Sequence, residues 1–321
     1  MVYPGLSKMT RTKDSIDEHR DADASARHPQ RVGGSLNDRL KRILTRANER
    51  RLRARPAGQR IAVLCYHSIH PDSPFASATP EAFAGQLDWI VRHCRVVTLR
   101  EIAGFASRFA PDGRPTIAIT FDDGYLDNYE YAFPLLHERG LTSTFFVTAG
   151  LLEKDSKVLE RFAQLRATDT NAIRPMEWHH VRAMHANGME IGAHTYSHPN
   201  LARLPRDAAR EELLSSRSII EQRLGTAVRS VAYPFGKPER HFTAETVSLA
   251  EEVGYQYACQ VLFRGVRASD SRFRIPRFFV RGDSIKELKA KIAGAWDPVG
   301  VWQEKGPLWL ARRVSPGDFL E

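Results

Sequence analysis

From residue 61 the chain repeats one rhythm, a short apolar run followed by a longer amphipathic stretch, and few folds accommodate it. The runs read as strands at Ile61 to Tyr66, Val96 to Leu99, Thr116 to Phe121, Ser143 to Thr148, Met189 to Ala193, Ser230 to Tyr233, Gln256 to Gln260 and Ile275 to Val280. Helices are expected between most of them. Thr79 with Pro80 just inside opens one, with Phe83, Leu87, Ile90 and Val91 as its buried stripe. Others cover Tyr125 to Glu138, Pro175 to Ala186, Arg206 to Leu224, Ala244 to Glu252 and Ser284 to Ala293. Seven or eight strands with intervening helices predict one α/β domain, a β/α barrel that is complete or lacks a strand.

The chain has 321 residues, of which 42% are hydrophobic and 26% charged, which excludes wholesale disorder and a fibrous repeat. No apolar run reaches the roughly 18 residues of a spanning helix, and the first thirty residues are too polar for a leader core. Cys65, Cys94 and Cys259 are too few and too scattered for a disulfide framework or a thiolate zinc site, so a reducing compartment is expected. The net charge of +9 is unevenly distributed: residues 1–60 carry 15 basic against 7 acidic residues, whereas residues 61–321 carry 32 against 31. A neutral body argues against a nucleic-acid-binding domain.

Three regions follow. Residues 1–60 form a basic arm in which Leu36, Leu40, Ile43, Leu44 and Ala47 recur at helical spacing behind the capping pair Ser35 and Asp38. Residues 61–298 form the barrel, and residues 299–321 a tail. A basic amphipathic segment at 35–55 either packs on the domain or lies on an anionic membrane surface, so the expected location is the cytoplasm or the cytoplasmic face of the inner membrane. The segment from Leu151 to Arg174 receives no function from the sequence.

Chemistry concentrates at predicted strand ends. The strand Thr116 to Phe121 runs into Asp122, Asp123 and Gly124, where a barrel of this kind places its catalytic groups. Adjacent carboxylates leave the backbone in different directions, so one can bind a metal while the other receives a proton; an Asp-Gly turn is the plain alternative. After the Met189 to Ala193 strand come His194 and His198, four residues apart, whose imidazoles can converge on one cation. One carboxylate and two imidazoles leave coordination positions open, as a hydrolytic centre requires.

The segment Thr120-Phe121-Asp122-Asp123-Gly124-Tyr125, with His194-Thr195-Tyr196-Ser197-His198 downstream, resembles the first two motifs of the polysaccharide deacetylases, carbohydrate esterase family four. Trp178 and the run Tyr233-Pro234-Phe235-Gly236 extend the likeness from about Ile61 to Ala293. The resemblance implies a distorted β/α barrel and metal-dependent removal of N-acetyl groups from amino sugars of a bacterial polysaccharide or its lipid-linked precursor. It makes Asp122 the general base and Asp123, His194 and His198 the ligands of a divalent metal, zinc foremost. The backbone N–H of Phe235 would hold the oxyanion.

Two departures qualify the match. No arginine precedes the Tyr233-Pro234 pair, and no late Leu-x-His supplies an acid. The opening Val63-Leu64-Cys65-Tyr66-His67-Ser68 instead resembles the bacterial poly-N-acetylglucosamine deacetylases, whose barrel is circularly permuted, and makes His67 the general acid, with a strand-end structural histidine as the alternative. Arg277 is the expected partner of Asp122, or else a structural ion pair. Tyr125, Tyr233 and Trp178 are candidates for the sugar-binding wall, a core role being the alternative for Trp178. Relatives of this fold also cleave other C–N bonds, in cyclic imides, ureides and formamides.

Overall fold

A computed structural model of the protein describes residues 60–104 and 113–305. The expectations for residues 1–59, including the amphipathic segment 35–55, and for residues 306–321 lie outside this range.

All eight predicted strands form, and seven of them close a parallel barrel. β1 (Ile61–Tyr66) pairs along its whole length with β3 (Thr116–Phe121), from Ile61 opposite Thr116 to Tyr66 opposite Phe121. The ring continues through β4 (Thr144–Val147), β5 (Glu190–Ala193), β6 (Ser230–Ala232), β7 (Tyr257–Val261) and β8 (Ile275–Phe279), and β8 returns to β1. β2 is only Arg95–Val96 and pairs with the first residues of β3 outside the closed ring.

Every residue of β1, β3 and β4 is buried, as expected where a parallel sheet is covered on both faces, and this is why their sequences read as unbroken apolar runs. Alternate residues serve different cores. Ile61, Val63 and Ala118 pack with Phe146, Cys259 and Ile275 in one cluster, whereas Ala62, Leu64, Ile117 and Ile119 pack with helical residues such as Leu87 and Ile90 in another. This period of two sends the next residues of the first set, Cys65, Thr120 and Arg277, into the barrel interior just below its mouth.

The helices match expectation with instructive exceptions. Thr79 accepts the Ala82 N–H and caps helix Pro80–His93, whose buried face is Phe83, Gln86, Leu87 and Ile90. Val91, expected on that stripe, is exposed; Gln86 takes the buried place because its amide donates to the Asp283 carbonyl and accepts from the Tyr66 hydroxyl. The strand expected to run to Leu99 stops at Val96 because Thr98 and Glu101 form a reciprocal cap that starts helix Leu99–Gly104. The Tyr125 to Glu138 helix is broken into a π-turn at Asn128–Ala132 and a short helix Phe133–His137. Pro134 has no N–H to give the carbonyl four residues back, which favours this widening. Pro175 bridges to Tyr125 in extended backbone, so the following helix begins at Trp178.

The expected boundary at residue 298 falls inside helix Asp297–Lys305, which packs on the barrel: Gln303 accepts the Phe263 N–H and Glu304 pairs with the buried Arg264. Among the described residues no helix is long and apolar enough to cross a membrane. The three cysteines are buried free thiols.

Candidate active site at the mouth of the barrel

The strand ends deliver the chemistry to one place. Asp122 and Asp123 follow β3, His194 and His198 follow β5, Phe235 follows β6 and His67 follows β1. Asp123, Thr195, His198 and Phe235 all hold positive φ, between 57° and 79°, and they are four of the seven non-glycine residues that do so among the described residues. Strained backbone at that density marks a loop cluster held in place by its surroundings. The turn after Phe235 needs its glycine: a Cβ on Gly236 would lie 2.7 Å from the Val261 backbone nitrogen.

Asp123 is fully buried and divides its two oxygens. Oδ2 pairs with Arg166 Nη2 at 2.5 Å, while Oδ1 has no hydrogen-bond partner among the described residues and lies 3.6 Å from both His194 Nε2 and His198 Nε2. The Nδ1–H of His194 donates to the Ala232 carbonyl at 2.8 Å, which fixes the tautomer and turns the Nε2 lone pair toward Asp123. Desolvation holds the His198 imidazole well below its ordinary pKa, so it is neutral as a ligand must be. Ligands bonded at about 2.0–2.1 Å to one tetrahedral ion are about 3.3 Å apart. An orphaned buried carboxylate oxygen facing two imidazole nitrogens at 3.6 Å therefore fits one divalent ion, and Asp123, His194 and His198 would hold it.

Asp122 is bound differently. Arg277, fully buried, forms two parallel hydrogen bonds of 2.7 Å to its two oxygens, and the Cys65 thiol donates to Oδ2 at 3.4 Å. Arg277 Nη1 also donates to Thr120 Oγ1, and its guanidinium lies 5.2 Å from the Phe146 ring centroid. Burial alone would raise the Asp122 carboxyl, but the charge of Arg277 outweighs it and holds it down to about 2. Arg277 is thus the expected partner of Asp122.

His67 reaches the same space. Its backbone N–H donates to Ser77 Oγ, its carbonyl accepts from Asn128, and its ring stands edge-on to Phe279 at 5.0 Å. A ring nitrogen, an Asp122 oxygen and the Cys65 sulfur lie within 4.8 Å of one another. Desolvation pushes the imidazole down to about 4 against the pull of Asp123 and Asp122, so the resting ring is neutral at pH 7 rather than protonated. The cleft above is walled by Phe162, Leu165, Phe263 and Phe279, with Lys237 and Arg281 also lining it.

The expected aromatic wall is largely absent from this cleft. Tyr125 is 2% exposed and lies in a core cluster with Leu151, Val158 and Phe162; its hydroxyl accepts from Arg166 Nε at 2.8 Å, so it supports the site from behind. Trp178 begins its helix half-buried against the main core, donating from Nε1 to Glu153 and lying 5.8 Å from the Arg223 guanidinium. Tyr233 borders the cleft, but it is stacked on Phe242 and its hydroxyl donates to the Phe273 carbonyl.

Two residues absent from the sequence expectations complete the site. Arg166 ends helix Ser156–Arg166, in the segment left without a function. Glu212, on helix Arg206–Leu224, accepts the Tyr196 and Ser197 N–H groups at 3.0 and 2.8 Å and the Ser197 hydroxyl, clamping the loop between the two histidines. The capping-box spacing rules could flag neither; only the shared helical face of Phe162 and Arg166 hinted that Arg166 turns inward.

Comparison with known proteins agrees with this fold. Residues 110–258 match the polysaccharide deacetylase family model, so this part of the chain is similar to a family whose members are hydrolases. The chain is 24% identical over 198 residues to YxkH of Bacillus subtilis (strain 168), covering 61% of this chain and 63% of YxkH. It is 21% identical over 222 residues to the poly-beta-1,6-N-acetyl-D-glucosamine N-deacetylase of Staphylococcus aureus (strain MRSA252), covering 66% of this chain and 70% of that protein. The solved structure of IcaB from Ammonifex degensii superposes with a TM-score of 0.59 at 26% identity, over 74% of this chain and 98% of IcaB.

Proposed function

We propose that the protein is a metal-dependent N-deacetylase of an N-acetylated amino sugar, in a polysaccharide or its lipid-linked precursor. The observation that carries this reading is Asp123 Oδ1, buried and unpartnered between two imidazole nitrogens, beside a second carboxylate that Arg277 keeps ionised. A divalent ion, zinc foremost, would supply Lewis-acid polarisation of the acetyl carbonyl.

The remaining steps fall to the chain's own groups. Asp122, locked by Arg277, orients a water and receives its proton. A ring nitrogen of His67 and an oxygen of Asp122 lie within 4.8 Å of each other, so a bridging water can relay the proton from Asp122 to His67. His67 then donates it to the leaving amine. The Phe235 N–H, in a turn set by φ 60°, is assigned to the oxyanion. The substrate class is supported by the poly-N-acetylglucosamine activity named for the Staphylococcus aureus relative. Peripheral contact of residues 35–55 with the cytoplasmic face of a membrane belongs to the same proposal.

Product analysis on N-acetylglucosamine oligomers tests the reading. It predicts acetate and free amine in equal amounts; formate from N-formyl sugars or ring-opened products from cyclic imides, with no acetate, would transfer the site to another C–N hydrolysis.

A further inference from the structure

We propose that Arg166 is a positioning residue that restricts Asp123 to a single coordinating oxygen and so keeps one position of the metal centre open for substrate. This rests on the metal-dependent reading above and adds a residue to it. Arg166 arrives from helix Ser156–Arg166, started by Asp155, which accepts the Lys157 and Val158 N–H groups. Its side chain is 10% exposed and lines the cleft shared by Asp122, His194 and His198.

The guanidinium is held on three sides. Nη2 donates to Asp123 Oδ2 at 2.5 Å, Nε donates to the Tyr125 hydroxyl at 2.8 Å, and the carbon centre lies 5.6 and 5.7 Å from the ring centroids of Phe75 and Tyr125. A charge-assisted hydrogen bond to one carboxylate oxygen competes with any cation for that oxygen, and the other is the one aimed at the two histidines. A free carboxylate can grip an ion through both oxygens, which binds it more tightly and fills a position that hydrolysis needs. A fixed positive charge in contact with a ligand also repels the ion. Arg166 thus trades metal affinity for an open coordination position. Without metal it neutralises a carboxylate that is otherwise fully buried.

The trade gives an unusual signature. Arg166→Met should bind Zn2+ at least about tenfold more tightly in chelator competition, yet turn over about tenfold more slowly. Cobalt-substituted Arg166→Met should absorb visible light more weakly than the cobalt-substituted parent, as a rise in coordination number dictates. The metal-free variant should melt below the metal-free parent, and saturation with metal should raise its Tm by more than it raises the parent's. Tyr125→Phe, which removes only the fastening at Nε, should shift affinity and spectrum in the same direction by less. A folded Arg166→Met with unchanged affinity and cobalt spectrum, or with weaker metal binding, overturns the proposal while leaving the deacetylase reading intact. A parent protein that takes up no metal overturns both.

Discussion

Two neighbouring carboxylates in the same turn have opposite environments, and the difference assigns their work. Asp123 keeps an oxygen free for the histidines, whereas both Asp122 oxygens are engaged by Arg277. Asp122→Asn should therefore retain stoichiometric metal and lose most turnover, while Asp123→Asn loses metal; metal analysis with single-turnover assays separates the two, and equal metal loss would reverse the assignment. His67→Ala should slow amide hydrolysis far more than hydrolysis of an acetyl ester with a good leaving group, because only a poor amine leaving group needs a proton. Arg277→Met leaves a buried carboxylate unpaired and should destabilise the fold by about 3–5 kcal/mol at pH 7. The sign of its pH dependence is fixed. In the parent, the depressed Asp122 carboxyl gives stability that is present above its ordinary value near 3.8 and is lost as pH falls through about 2. In the variant the largest opposing charge is gone while burial remains, so Asp122 is raised relative to the parent and protonation relieves it, and urea titrations at pH 7 and pH 4 should show the gap to the parent narrowing in acid. A constant gap would show that Arg277 acts through packing.

Elements carry the second level of control, because no strand end holds its residues unaided. The loop from His194 to His198 has two positive-φ residues besides its ligands' demands, and Glu212 binds two of its N–H groups from a helix at some distance in sequence. Glu212→Gln keeps one acceptor but loses the charge, and should weaken metal binding about tenfold with little change in Tm, measured by chelator competition. Unchanged affinity would mean the loop is held by its backbone alone. What the sequence revealed at this level follows from the same physics. Strand-end residues such as Asp122 and His194 were legible because a parallel barrel sends its strand termini to one face and the apolar runs locate those termini, whereas His67 came only from the resemblance of its motif to a family. Arg166 and Glu212 were not, since a charged residue on an amphipathic helix looks solvated until tertiary packing turns it inward. Tyr125 misled for the converse reason, since an aromatic beside a motif is as useful behind the site as in the cleft, and Trp178 took the core role that was its alternative. Helix ends failed locally where Pro134 or the Thr98 and Glu101 pair acted within a single turn.

At the scale of the whole molecule, closure of β1 between β3 and β8 makes the site a composite of the first and last strands among the described residues. His67 follows β1 and Arg277 lies on β8, yet both approach Asp122 just after β3, so this group of residues comes together only when the ring is shut. The two-residue β2 stays outside the ring and leaves these neighbours in contact. The central claim is that this assembled mouth holds one divalent ion and uses it to release acetate. The most direct measurement is acetate release from N-acetylglucosamine oligomers by protein stripped of metal with a chelator and titrated with Zn2+. The predicted result is negligible release from the stripped protein and a rise that reaches its plateau at one ion per chain. Full activity of the stripped protein, or a metal-saturated protein that binds the oligomers and releases no acetate, would contradict the account.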